Sequence, residues 1–367
     1  MNKNKISSEL LNEVTSLSQN QTKSVFISTS QFEALNNFLI YNKFNFKPYK
    51  FANCFLVECM VNDLEKFSNL NHVELIHSNS HVLTCKPEHE IVNLHKLTEN
   101  KYFGKGVTIC FIDTGITPHF DFIFPYSRII KFVDLINNKT YPYDDNGHGT
   151  FVCGMACGNG VYSKNNIGIA PQSNIISIKA LDRDGSSSSN TILDAMQWIY
   201  DNQKTYNISI VCMSFGSDPT EKNPLSKGAE ALWNLGITVV AAAGNSGPKN
   251  YTIKSPGVNP KIITVGGYDF INFKVANFSS RGPTQLGNKP DVIAPAVDMI
   301  SCNNNNSIPY TKMSGTSVAT PIVAGVCAIL KSRYKNATNE QIKKFLLAHC
   351  KPISNNKNDE GFGLIQF

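Results

Sequence analysis

Five short, almost unbroken apolar runs constrain this chain more than any other feature: Val107–Ile112, Ile175–Lys179, Ile208–Met213, Thr238–Ala243 and Ile262–Val265. Runs of this kind read as strands covered on both faces. Helical patterns separate most of them, as with Ile192, Met196 and Ile199. Buried strands joined by helical crossovers make a parallel sheet. From residue 104 onward the expectation is therefore α/β: a doubly wound, mainly parallel sheet with helices on both faces. In such sheets the working groups gather at the carboxyl ends of the strands.

Residues 21–85 read differently, as a small α+β unit of ferredoxin-like βαββαβ order. Ser24–Ser28 is a β-rich run, and Ser30-Gln31-Phe32-Glu33 has the capping-box pattern, with Phe32, Leu35, Phe38 and Leu39 on one helical face. Cys54–Met60 alternates as a strand, Leu64, Phe67 and Leu70 share a second helical face, and Val73–Ile76 closes the unit. Residues 1–20 read as a polar tail and 86–103 as a linker rich in His and Lys.

Two folding units suit a chain of 367 residues, and 41% hydrophobic content excludes a disordered or fibrous protein. No apolar run approaches the ~18 residues that span a bilayer, so no membrane partner is expected. Basic residues exceed acidic ones by 34 to 28 without forming a stripe, which argues against nucleic acid. Of ten cysteines, Cys110, Cys153, Cys157, Cys212 and Cys327 sit in apolar runs, as reduced buried thiols do. With no signal-type apolar segment at the N-terminus, the expected address is cytoplasmic.

Four polar residues stand where strands end or helices begin. Asp113 closes the first run in Ile112-Asp113-Thr114-Gly115, and His148 lies in Gly147-His148-Gly149-Thr150 before an apolar helix. Asn245 follows a strand in Ala243-Gly244-Asn245-Ser246-Gly247. Ser317 opens a helix in Ser314-Gly315-Thr316-Ser317-Val318-Ala319-Thr320-Pro321. Pro321 is expected in the first turn, where its missing amide would go unpaired anyway. Taken singly, each has an ordinary structural reading as a turn or cap residue.

Together, in the order Asp, His, Ser, they resemble the subtilisin-like serine proteases, or subtilases. The resemblance covers nearly all of residues 104–367 and extends to Phe278-Ser279-Ser280-Arg281-Gly282-Pro283. It implies an Asp113–His148–Ser317 triad, with Asn245 donating to an oxyanion alongside the Ser317 amide. It further implies that Ser214, Phe215 and Gly216 bind peptide by strand addition, with Gly185 and Ser186 opposite and Lys254 on the wall of the pocket for the residue before the cut. Residues 21–85 are similar to the family's inhibitory propeptide, which would place the tail around Ser80–Cys85 in the cleft and be cut near Thr84–Pro87.

There are departures from the family pattern at Phe151, Cys153 and Ala296, none of them at a reacting atom. The chemistry needs no cofactor and no catalytic metal. A structural calcium finds no support in the loop Gly158–Gly168, which lacks a carboxylate cluster. Competing readings are an aspartic protease at Asp113-Thr114-Gly115, which lacks its second tripeptide, and metal ligation by His148, Cys153 and Cys157. A Cys-His protease, a non-cutting scaffold that binds a partner peptide, and a narrow leader-processing protease complete the set.

Overall fold

A computed structural model describes residues 2–15, 18, 20–79, 81–84, 103–218 and 223–366. The N-terminal unit begins with α1 (Ser8–Thr15), where the sequence reads as a tail. The helix is amphipathic and buries Leu10, and Ile6 bridges to Ile76, so this segment is held against the unit. Then follow β1 (Thr22–Thr29), α2 (Phe32–Tyr41), β2 (Asn45–Tyr49), β3 (Cys54–Met60), α3 (Asp63–Ser68) and β4 (Val73–Ser78). They form a four-stranded antiparallel sheet in the order β2-β3-β1-β4. The capping box does not form: Gln31 is the N-cap and makes no side-chain cap bond. The Thr29 hydroxyl accepts the Gln31 amide instead, and the chain enters the helix one residue later than the pattern predicts.

Strand periodicity divides β1 between two cores. Val25 and Ile27 face inward with Leu35, Phe55, Val57 and Phe67, whereas Phe26 joins Tyr49 in the core of the larger domain. The sheet thus has one face covered by its own helices and one docked.

Beyond β5 (His81–Thr84) come β6 (Thr108–Asp113), α4 (Phe120–Ile123), β7 (Ile129–Asp134), α5 (His148–Cys157), β8 (Asn174–Lys179), β9 (Ser186–Ser188) and α6 (Ser189–Asn202). The chain continues through β10 (Ile208–Met213), β11 (Phe215–Gly216), α7 (Pro224–Asn234), β12 (Thr238–Ala242), β13 (Ile263–Asp269) and β14 (Lys274–Val275). It ends with β15 (Val292–Pro295), β16 (Met299–Cys302), β17 (Tyr310–Met313), α8 (Thr316–Arg333), α9 (Asn339–Ala348), β18 (Cys350–Lys351), α10 (Lys357–Glu360) and β19 (Leu364–Ile365).

The main sheet runs β18-β19-β15-β13-β12-β10-β6-β8-β7, parallel except at β14 and β18. The five apolar runs are its five adjacent central strands, β13-β12-β10-β6-β8. Helices α5 and α8 pack together against the sheet, and α6 pairs with α7. The fold is the expected mainly parallel α/β arrangement. Edge strand β7 carries no apolar run because its residues alternate between cover and solvent. No helix among the described residues is long and apolar enough to cross a membrane.

The N-terminal unit docks on α6 and α7. Phe26 and Tyr49 supply the apolar contact, and Tyr49 donates its hydroxyl to Asp194 Oδ1 at 2.7 Å. Lys47 meets the same carboxylate at 2.6 Å, Lys227 meets Glu74 at 2.7 Å, and Asn79 meets Asn190 at 2.9 Å. The ion pairs are partly exposed and add little; the aromatic burial carries the docking. Phe26→Ala should weaken it by about 3–5 kcal/mol while sparing the unit's own core, which does not contain Phe26. Urea unfolding followed by fluorescence should then show the N-terminal unit melting ahead of the rest, and an unchanged transition would contradict this account.

Candidate active site

The site lies at the carboxyl ends of three neighbouring strands. Asp113 is the last residue of β6, Ser214 follows β10, and Asn245 stands three residues beyond β12. Neighbouring strands lie about 4.8 Å apart, so the sheet alone brings these positions within reach of one helix N-terminus.

His148 is the first residue of α5, with Gly147 capping at φ +101°. Its Nδ1 lies 2.7 Å from Asp113 Oδ1, and both side chains are buried. Nε2 is also buried and has no hydrogen-bond partner among the described residues, which leaves that nitrogen for a reacting proton. Gly149 is required by contact: a Cβ there would come within 2.2 Å of the Gly115 carbonyl oxygen. Any side chain would lift α5 off the end of β6 and separate the imidazole from the carboxylate.

Asp144, which the sequence reading missed, fixes this approach. Its Oδ1 accepts from the Thr114 hydroxyl at 2.9 Å, the Asn146 amide at 3.1 Å and the Gly147 amide at 2.8 Å. Its Oδ2 accepts from the Thr150 amide at 2.8 Å and hydroxyl at 2.7 Å. The Thr114 hydroxyl in turn accepts the Gly149 amide at 2.8 Å. One buried carboxylate thereby ties the residue after Asp113 to the first turn of α5. An acidic residue four positions before a helix-opening His was the available sequence signal. Lys179, fully buried, holds the same loop through the Thr114 carbonyl and Asp145, each at 2.6 Å.

Ser317 is the second residue of α8, so its amide is among the first-turn N–H groups that have no helical acceptor. Pro321 lies in the second turn, not the first as the sequence predicts. Its missing amide therefore leaves the Ser317 carbonyl without an i+4 donor, and the Ser214 hydroxyl donates to that carbonyl at 3.0 Å. This bond joins α8 to the strand at Phe215–Gly216. Asn245 Oδ1 accepts from the Thr316 amide at 3.0 Å and hydroxyl at 2.9 Å, which turns the donating end of its amide away from that backbone.

Strand β5 lies in the cleft beside these groups. It pairs antiparallel with β11, Thr84 against Phe215 and Leu83 against Gly216. On its other side it pairs with β9, Leu83 against Ser186 and His81 against Ser188. Gly185 is in the preceding turn at φ +74° and does not pair. Ser80 and Cys85, also expected in the cleft, lie outside the described residues. The Lys254 stem covers Gly244, and its ammonium is 3.6 Å from Asp218. The side chain is 27% exposed. It is thus partly covered and paired.

The other readings of these residues lose their chemistry here. His148 is engaged by Asp113, and burial drives the thiols of Cys153 and Cys157 up, that of Cys157 to about 12. Thiols so placed are not nucleophiles at neutral pH, and among the described residues these two form no metal-sized cluster with His148. None of the nine described cysteines is in a disulfide.

Removing the Asp144 carboxylate leaves five donor bonds unmade in a buried loop. Asp144→Ala should destabilise the protein by at least about 3 kcal/mol. Denaturant titration with an unchanged slope would measure it, and a loss below 1 kcal/mol would show that the knot is not under load.

Known proteins resemble this chain over much of its length. The chain is 41% identical to serine protease AprX of Bacillus subtilis over 271 residues, 66% of this chain and 61% of that protein. It is 33% identical to the thermostable alkaline protease of Halalkalibacterium halodurans over 291 residues, 77% of this chain and 73% of that one. With subtilisin E of Bacillus subtilis it shares 30% over 309 residues, 81% and 75% of the two chains. Residues 104–364 match the profile of the peptidase S8 Subtilase family, and the chain belongs to that family.

Proposed function

We propose that this chain is a serine endopeptidase made as a self-processing zymogen, acting on protein or peptide substrates. The observation that carries the reading is β5: a strand of the chain's own N-terminal part, paired on both sides, in a cleft that starts at the Ser317 helix. A peptide held by backbone pairing suits a substrate, because strand addition tolerates many sequences.

The reaction follows from the groups present. Ser317 Oγ attacks the peptide carbonyl while His148 Nε2 takes its proton; Asp113 holds the tautomer and offsets the charge that develops on the ring. The oxyanion is met by the Ser317 amide and the Asn245 side chain. His148 then returns the proton to the leaving amine, and water releases the acyl group by the reverse sequence. Every proton and charge is handled by protein groups, so the proposal calls for no cofactor. Nine described thiols without a disulfide support a reducing, cytoplasmic setting.

The N-terminal unit is proposed to inhibit the enzyme by occupying its substrate strand. Thr84, the last described residue of β5, pairs with Phe215, and the neighbouring Ser214 is bonded to Ser317. Self-cleavage should therefore fall just beyond β5, near Thr84–Pro87. Intact-mass measurement of the unmodified chain should show loss of the N-terminal unit by a cut near Thr84–Pro87, with labelling by a fluorophosphonate. Ser317→Ala should stay whole and unlabelled. An unlabelled, uncut native chain that stays unlabelled after a mature relative clips it would instead identify a non-cutting scaffold.

Lys254 is proposed to line the pocket for the residue before the cut and to favour an acidic one, with Asp218 competing for its charge. The expected gain is modest for a partly exposed ion pair. Lys254→Ala should lower the kcat/KM ratio of matched Glu and Leu peptides by about fivefold. An unchanged ratio would remove Lys254 from the pocket.

A further inference from the structure

Among the described residues, one group of three side chains combines imidazole, carboxylate and thiol. His119, Asp121 and Cys302 are all buried, with ligand atoms within 4.8 Å of one another. His119 caps α4: its Nδ1 accepts the Asp121 amide at 3.1 Å, while Nε2 lies 2.8 Å from the Pro309 carbonyl. That pair of bonds fixes the neutral ring with its proton on Nε2 and a lone pair on Nδ1, 3.8 Å from Asp121 Oδ1. Burial, which lowers the His119 pKa, favours the same form. Cys302 Sγ lies 3.6 Å from Asp121 Oδ2, and the Tyr310 hydroxyl reaches both carboxylate oxygens at 3.2 and 3.1 Å.

These donors do not suit calcium, which takes six to eight oxygens. The loop over residues 158–168 contains no carboxylate and turns the Gly160 and Val161 amides onto Asp121, at 3.1 and 2.9 Å. A borderline ion is a different matter. Imidazole, carboxylate and thiolate are zinc donors, and an imidazole that gives its other N–H to a carbonyl has the outer bond that orients a metal-binding ring.

We propose that His119 Nδ1, Asp121 and Cys302 Sγ bind one zinc-class divalent ion, with the Tyr310 hydroxyl or a water in the fourth position. The ion takes the place of the thiol proton that now links Cys302 to Asp121, and that proton leaves to solvent; nothing is oxidised or reduced. Affinity accordingly rises with pH. Nδ1 gives up the Asp121 amide in the exchange. The guanidinium of Arg128, which donates to the Asp121 carbonyl, adds a positive charge nearby and holds affinity below that of an all-cysteine site. A bound ion would staple the β16–β17 hairpin to the loop that follows Asp113. That hairpin already reaches the active site, where Asn304 donates to the Asp144 carbonyl at 3.1 Å.

The test uses full-length Ser317→Ala protein, which stays intact, titrated with Co²⁺ alone. The expected result is a thiolate-to-cobalt charge-transfer band that saturates at one ion per chain and is displaced by Zn²⁺. Cys302→Ser should abolish the band, and His119→Gln should weaken binding at least about tenfold. Should Cys302→Ser fail to fold, the parent protein is incubated with a maleimide near its melting temperature, with and without Cd²⁺. Protection confined to Cys302 supports the site. Absence of a band up to millimolar Co²⁺, a band that survives Cys302→Ser, or protection at another cysteine overturns it.

Discussion

The cleft depends on one buried carboxylate. Asp144 gathers the hydroxyl that follows Asp113, three amides around His148 and the hydroxyl of Thr150 onto two oxygens. Without it, β6 and α5 are two elements that happen to end near each other. With it, the distance between Asp113 and His148 is set by a closed ring of bonds rather than by the rotamers of two side chains. The two glycines beside His148 serve the same end, one by supplying a left-handed cap and the other by letting the backbones touch. A second link does for Ser317 what Asp144 does for His148. Pro321 withholds a helical donor, the Ser317 carbonyl turns to Ser214, and α8 is tied to the strand at Phe215–Gly216.

That second link joins chemistry to recognition. Strand β11 is two residues long, and neither it nor β9 across the cleft pairs with any named strand other than β5. Exposed edges invite a strand, and β5 satisfies both at once. The N-terminal unit need supply no specific side chain to the site if its body is anchored elsewhere, and Phe26 and Tyr49 anchor it on α6 and α7. Docking and cleft occupancy are thus separable, so the proposed cut beyond β5 would leave the unit bound until its own contacts give way.

Much of this was legible in the sequence because burial leaves a plain trace. The runs at Val107, Ile175, Ile208, Thr238 and Ile262 became five adjacent strands, and the polar residues at their ends became the site. Features set by partners distant in sequence were not legible. The Ser30–Glu33 pattern lost to Thr29, which could reach the helix start because β1 delivers it there. Within the expected tail, α1 (Ser8–Thr15) forms because Leu10 finds a core that other segments create. Pro321 was assigned one turn too early, since nothing local marks Gly315 as the cap; its φ of +142° is a property of the fold around it. Lys254 was visible as a residue, but Asp218 beside it was not, because their approach depends on the backbone bridge between Ser217 and Ser255.

The two helix N-termini at the site carry the same sign and meet opposite needs. In the proposed reaction negative charge grows on the substrate oxygen, and the positive end of α8 lies where it helps. Positive charge grows on His148, which opens α5, and there the helix works against it. The arrangement functions only if something offsets α5 locally, and the Asp113 carboxylate at 2.7 Å is the group in place to do so. On this argument Asp113 does more than orient a ring. Its negative charge opposes the field of the His-bearing helix at the point where β6 ends and α5 begins.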